Sequence, residues 1–326
     1  MRRFFSDDSF WNTPIAADAE PDPRSPRFVE LLRREPTGGL HINIVHFTIP
    51  VYEVDADTPL RTVHQRVALD KDGQQRTWGP ADRTFGQAPD FGPEVPIPDH
   101  AVSDPATDKH MALVDPQRGL CWDMWAARRR EDGEWESYTG MHYPLKSEGV
   151  WDVSDFPVLD GESIHFHGPG RAAGVPIIAG LIMREEVMAG RIEHKLAFAT
   201  RYSAYKEFVS PATWTDGGLV GGVPEGAVLQ LDPDLDLDQF DLSPGGRTVA
   251  KALQEYGMVN VDCAGAGTLY AEGLYWPGAP SWDGVLAQKD VAHIPLEHLR
   301  VLKLGDITPM GDGRRRVTDP AELERR

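Results

Sequence analysis

HMALVDPQRGLCWDMWAARRREDGEWESYTGMHY, residues 110–143, is the stretch on which the fold turns. His110-Met111-Ala112-Leu113-Val114-Asp115 reads as a strand, and Pro116-Gln117-Arg118-Gly119 as a turn. Leu120-Cys121-Trp122-Asp123-Met124-Trp125-Ala126 returns as the hairpin partner. A third run, 134–143, follows the turn Glu131-Asp132-Gly133. Three strands in hairpin succession predict an antiparallel meander.

The chain on either side repeats this pattern of short strands and turns. Upstream, a helix is expected over 25–34, with Ser25 as N-cap and Pro26 opening the first turn. Strand-like runs follow around Ile42, Ile44, Val51, Tyr52 and Val54 and over 61–69. Residues 70–108, rich in Gly, Pro and Asp, read as long surface loops that wall a cleft. Downstream, an apolar run spans 175–183, a short helix 184–191 and an alternating segment 192–198. Residues 232–241 form a solvated acidic turn without the spacing of a calcium loop. Ser243-Pro244-Gly245-Gly246 caps a helix over 247–256, which Gly257 ends. Strands at 258–263 and 299–304 complete the pattern. The expected class is mainly β: an antiparallel β-sandwich or jelly roll with a few short helices and long loops. One domain covers 9–304, between an N-terminal tail (1–8) and a charged C-terminal tail (305–326).

Composition narrows the function. The chain has 326 residues, 40% hydrophobic and 26% charged, with no apolar run long enough to cross a bilayer. A net charge of −18 argues against a nucleic-acid partner, which needs a basic footprint. The start lacks an apolar leader, so the chain reads as cytoplasmic or as a mature exported chain. Cys121 and Cys263 are expected as buried free thiols, with a single bridge between them as the alternative. No Gly-x-Ser-x-Gly elbow and no phosphate-cradling loop occurs.

The richest concentration of titratable groups on an apolar scaffold is 163–205. His165 and His167 alternate with Ile164 and Phe166, so an extended chain points both imidazoles to one face. That pair can ligate a divalent metal if His110, His194, Glu193 or Asp123 supplies a third ligand. A second candidate is His110 with Asp123 and His194, where a carboxylate orients an imidazole as general base. Tyr202 and Tyr205 offer an acid, and Arg201 and Arg171 a cation to neutralise a uronate. Asp123, Glu193 and Asp262 are the carboxylates a glycosidase would need. Trp11 and Trp125 are candidate sugar-stacking surfaces.

The order of several segments resembles a family of bacterial proteins common in actinobacteria. They are Phe10-Trp11-Asn12-Thr13-Pro14-Ile15, Phe47-Thr48-Ile49-Pro50-Val51-Tyr52 and Ala56-Asp57-Thr58-Pro59. Val95-Pro96-Ile97-Pro98 leading to His110 follows, then Cys121, Asp123 and Trp125. Ala189-Gly190-Arg191-Ile192-Glu193-His194-Lys195-Leu196-Ala197-Phe198, residues 253–262 and Trp282-Asp283 complete the order, over residues 9–304. The family's members are often exported β-sandwich proteins encoded among glycan-handling functions. The resemblance implies that fold and a carbohydrate role, and keeps His110 and His194 in the shared pattern with an acidic residue at Asp123. It departs at 165–168, so the His165/His167 pair is a local feature. The expected function is cleavage of a polysaccharide or oligosaccharide, leaning to β-elimination. Hydrolysis by paired carboxylates, non-catalytic glycan binding and a metal enzyme built on His165 and His167 are the alternatives.

Overall fold

The computed structural model of the chain describes residues 3–66, 68–69, 75–76, 94–152, 154, 170–309 and 316–325. Strand outweighs helix, 27% to 14%, so the class is mainly β. The meander forms with a shorter third strand than expected, because Trp135–Ser137 pairs in a separate sheet with Arg128–Arg129 and Val63–Gln65. Met111–Asp115 and Leu120–Trp125 make an antiparallel hairpin, and Thr139–Pro144 lies antiparallel along its far side. The turn is built locally: the Asp115 carboxylate accepts the Arg118 backbone N–H at 2.8 Å and its guanidinium at 2.5 Å. Gly119 then reverses the chain at φ +67°, a conformation that costs glycine nothing sterically.

The meander belongs to a five-stranded sheet, continued by Ile49–Glu53 and then Glu272–Gly273. Those two strands add in parallel, so the sheet is mixed rather than antiparallel throughout. The larger, six-stranded sheet runs His41–Asn43, Thr268–Tyr270, Leu196–Thr200, Met258–Cys263, Val228–Leu231, Leu299–Val301. Leu196–Thr200 and Met258–Cys263 are parallel neighbours, which demands a long crossover. The chain between them supplies it and carries the Pro244–Glu255 helix.

Side-chain alternation sorts these strands into layers. Ile49 and Val51, Ala112 and Val114, Cys121, Met141 and Tyr143 point from the smaller sheet into a middle core. Ala197, Ala199, Val259, Val261 and Tyr270 enter the same core from the larger sheet. The opposite faces serve separate cores. Leu196, Phe198 and Met258 pack with the helices, while Met111, Leu113, Trp122 and Met124 pack with Tyr52 and Trp135.

The Pro244–Glu255 helix starts as the sequence indicates, with Ser243 Oγ accepting the Gly246 N–H at 2.9 Å. Ser25, in contrast, sits inside the Ser25–Leu32 helix rather than capping it. Its hydroxyl accepts the Val301 N–H and ties the helix to the sheet edge. The apolar run 175–183 is a chain of turns rather than a strand, and regular pairing after it starts only at Leu196. Gly180 shows why. At φ +69° it lies so near the Leu196–Thr200 strand that a Cβ would stand 2.4 Å from the Ala197 nitrogen. Gly180→Ala is therefore expected to cost at least about 1–3 kcal/mol, read from a urea unfolding curve.

Both segments expected as tails are anchored. Phe5 is buried in the middle core, and the Ser6 N–H bonds Ser147 O. Val317 is buried against Leu219, and Glu324 pairs with Arg34 at 2.6 Å. Neither cysteine is in a disulfide; Cys121 is buried and Cys263 partly so. Among the described residues, no helix is long and apolar enough to cross a membrane.

Candidate functional site

A cavity of about 490 Å³ opens at one end of the larger sheet. Its walls come from three places in the chain: His41 to Phe47, the end of Met258–Cys263 with the turn after it, and Thr268 to Tyr270. Asp108 joins from the loop before the meander.

Asp262 reaches this cavity through a backbone irregularity. Strict alternation along Met258–Cys263 would send Asp262 to the same face as Met258 and Asn260. The pairing register slips instead: Phe198 faces Asn260, and the next residue, Ala199, faces Asp262. The extra residue, Val261, is a β-bulge, which turns the strand and re-aims Asp262. There the Tyr270 hydroxyl donates to Asp262 Oδ2 at 3.1 Å. Burial, the neighbouring Asp216 and Asp108 raise the Asp262 pKa to about 7, against the opposing pull of Arg171 and Tyr270. A carboxyl group that is half protonated near neutrality suits proton donation.

The rim is tightly held. Asp104, fully buried, accepts the Thr48 N–H at 3.0 Å, the Thr48 hydroxyl at 2.9 Å and the Tyr275 hydroxyl at 3.1 Å. It so joins the loop carrying Asp108 to the lip at Phe47. On that lip Phe47 takes φ +55°, and Lys109, beside Asp108, takes φ +43°. Left-handed backbone at a non-glycine residue is unfavourable, and here it occurs at the wall residue Phe47 and at the neighbour of the wall residue Asp108. Phe47 stays 41% exposed, leaving an aromatic face open to solvent. His41 is held below its usual pKa by burial and by Lys289, and is therefore neutral at pH 7.

The residues singled out from sequence are dispersed. His110 is fully buried, and burial with the nearby Arg171 guanidinium lowers its pKa to about 3. It does not pair with Asp123. That carboxylate accepts backbone N–H groups instead, from Ile177 at 3.1 Å, Gly170 at 3.2 Å and Met141 at 3.3 Å. Burial still lifts its pKa to about 6. The hairpin register explains the mismatch: Asp123 stands opposite Ala112, two residues beyond His110. Asp123 is thus a staple for 170–177. Arg171 is fully buried, stacked 4.1 Å over the Tyr270 ring with one nitrogen donating to Ile177 O. It cannot touch a substrate, but it lies behind the cavity wall.

His194 is elsewhere. Its ring nitrogens meet Lys195 O at 2.8 Å and Glu186 Oε2 at 3.1 Å. Burial opposes its charge, but Glu186 and the carbonyl outweigh that and raise its pKa. The space beside it is about 10 Å³, too small for a sugar, and His110 is not in its wall. Glu193 pairs with Arg191 at the surface. Arg201 is bound to Gly265 O, Leu323 O and Glu35, and the buried Tyr202 donates to Arg34 O at 3.0 Å. Tyr205 packs with Lys206, and Trp125 lies against Tyr138 at 5.3 Å. Trp11 is core, its indole N–H donating to Gly149 O at 2.8 Å. Tyr202→Phe is expected to lower stability by about 1 kcal/mol in thermal melts, with ligand binding in the cavity unchanged.

His165 and His167 lie outside the described residues. Among the described residues, no group of three or more His, Cys, Asp or Glu side chains is gathered as metal ligands. Asp108, Tyr270, His41, His46 and Phe47 were not singled out from sequence. Apart from Phe47, which opens one of the segments shared with the actinobacterial family, each sits in a loop or strand end without a motif. No family model, curated protein or solved structure matches the chain.

Proposed function

We propose that the chain is a glycan-cleaving enzyme working by acid–base hydrolysis in the cavity of Asp262 and Asp108. The observation that carries this reading is the aimed, partly protonated Asp262 carboxyl at an open cavity wall. In the reaction, the bond between the anomeric carbon and the bridging oxygen breaks while Asp262 gives its proton to that oxygen. Water adds to the anomeric carbon, and Asp108 takes the proton the water loses. The Tyr270 hydroxyl then stabilises the Asp262 carboxylate left behind. Phe47 offers a face for a sugar ring, while Asn43, Gln288 and Thr268 supply polar contacts.

β-Elimination has less support. It needs a cation beside the uronate, and no Arg or Lys lines the cavity among the described residues. Arg171 is sealed behind Tyr270, and Arg201 is committed to backbone carbonyls. The acidic walls and the net charge of −18 likewise favour a neutral glycan. The resemblance to the actinobacterial family adds its glycan context. The two sheets sharing a middle core are read as its β-sandwich.

A panel of neutral and uronate-containing polysaccharides tests this. New reducing ends without unsaturated-uronate absorbance are expected. Unsaturated products, or binding with no cleavage of any member, would overturn hydrolysis.

A further inference from the structure

Beneath the cavity lies a group of acids that this mechanism leaves without a task. Glu225 ends the Val223–Glu225 strand and is fully buried. Neither of its oxygens has a donor in close hydrogen-bond geometry. The side chains turned toward it are Asp216, Asp262 and Thr215. Its position is set by Asn260, whose amide donates to Val223 O at 3.1 Å and Pro224 O at 3.3 Å. The Gly226 N–H in turn donates to Asn260 O at 2.7 Å. Asn260 thus grips the chain on both sides of Glu225, two residues before Asp262.

A buried carboxylate is far costlier than a buried carboxylic acid, and the Thr215 hydroxyl beside Glu225 offsets only part of that cost. Two carboxyl groups packed together cannot both ionise, so one keeps a proton and the other the charge. Glu225, the more deeply enclosed, takes the proton. We propose that Glu225 stands as a neutral acid against Asp216, and that the charge retained on Asp216 keeps Asp262 protonated in the resting cavity. Both are positioning residues for Asp262, and the assignment rests on the reading of Asp262 as the acid. Arg171, Tyr270 and Asp108 face Asp262 from the other elements. Arg171 and the Tyr270 hydroxyl favour its ionised form, and Asp108 opposes it. Asp216 adds to the side that favours the proton.

Carbon-13 NMR of the side-chain carboxyls in the full-length protein tests this without relying on turnover. Glu225 is expected to show no titration up to pH 8 in the wild type. In Asp216→Asn the Asp262 midpoint falls by about one pH unit. In Glu225→Gln, where a neutral amide replaces the neutral acid, it stays at the wild-type value. Glu225 titrating as an ordinary carboxylate, or an Asp262 midpoint unmoved in Asp216→Asn, would overturn the proposal. Should Asp216→Asn fail to fold, the wild-type Glu225 titration decides alone. Titrations as expected in a protein that cleaves no glycan would support this assignment and count against hydrolysis.

Discussion

Asp262→Asn is expected to lower glycan cleavage about 10²–10⁴-fold, because the amide keeps the shape and loses the transferable proton. Initial rates on any cleaved polysaccharide measure this, and retention of more than a third of wild-type activity would remove Asp262 from the chemistry. In the wild type, cleavage should decline as pH rises through about 7, where the acid loses its proton. Stability should follow the same ionisation. The folded pKa, about 7, exceeds the ordinary value of 3.8, so the folded chain binds more protons between them. The Asp262 contribution is therefore fully present below the lower value and lost as pH rises through the upper one. Asparagine does not titrate. Its melting temperature relative to wild type should climb from pH 5 to pH 8, a trend that thermal melts across that range would show or refute.

Asp123→Ala should be the most damaging single change to the fold, costing about 3–5 kcal/mol. That is a large share of the ~5–15 kcal/mol that holds a typical protein together. Removing the carboxylate strands the Gly170, Ile177 and Met141 N–H groups in the interior. It also takes a negative charge from the neighbourhood of the buried Arg171. A urea unfolding curve at pH 8, where Asp123 is ionised, measures the loss. A change below about 1 kcal/mol would show that 170–177 is held by packing alone. Asp123, with its pKa raised to about 6, loses stability as pH rises toward 6. His110, held down at about 3, runs the other way. It adds stability above its ordinary pKa of 6.5, lost as pH falls toward 3. The two partly cancel in mild acid, so the Asp123 effect is best read above neutrality.

The sequence alone determined what is local. The hairpin at 110–126, the Ser243 cap and the class of the fold follow from turn residues and alternation, which act over a few residues of chain. It also pointed to Asp262 as a usable carboxylate, whereas Arg171, expected to neutralise a uronate, is buried against Tyr270. Which side chains meet was decided only in three dimensions. His110 and Asp123 looked like partners because their strands pair, yet the register sets Asp123 opposite Ala112. His194 found Glu186, eight residues away, rather than a second histidine. Asp262 turned into the cavity because one extra residue, Val261, bulges the strand. Asp108, Asp216 and Glu225 come near it from segments distant in the chain. Alternation is a property of one strand, whereas register, bulges and desolvation belong to the contact between strands distant in the chain. The site proposed around Asp262 is built from those contacts.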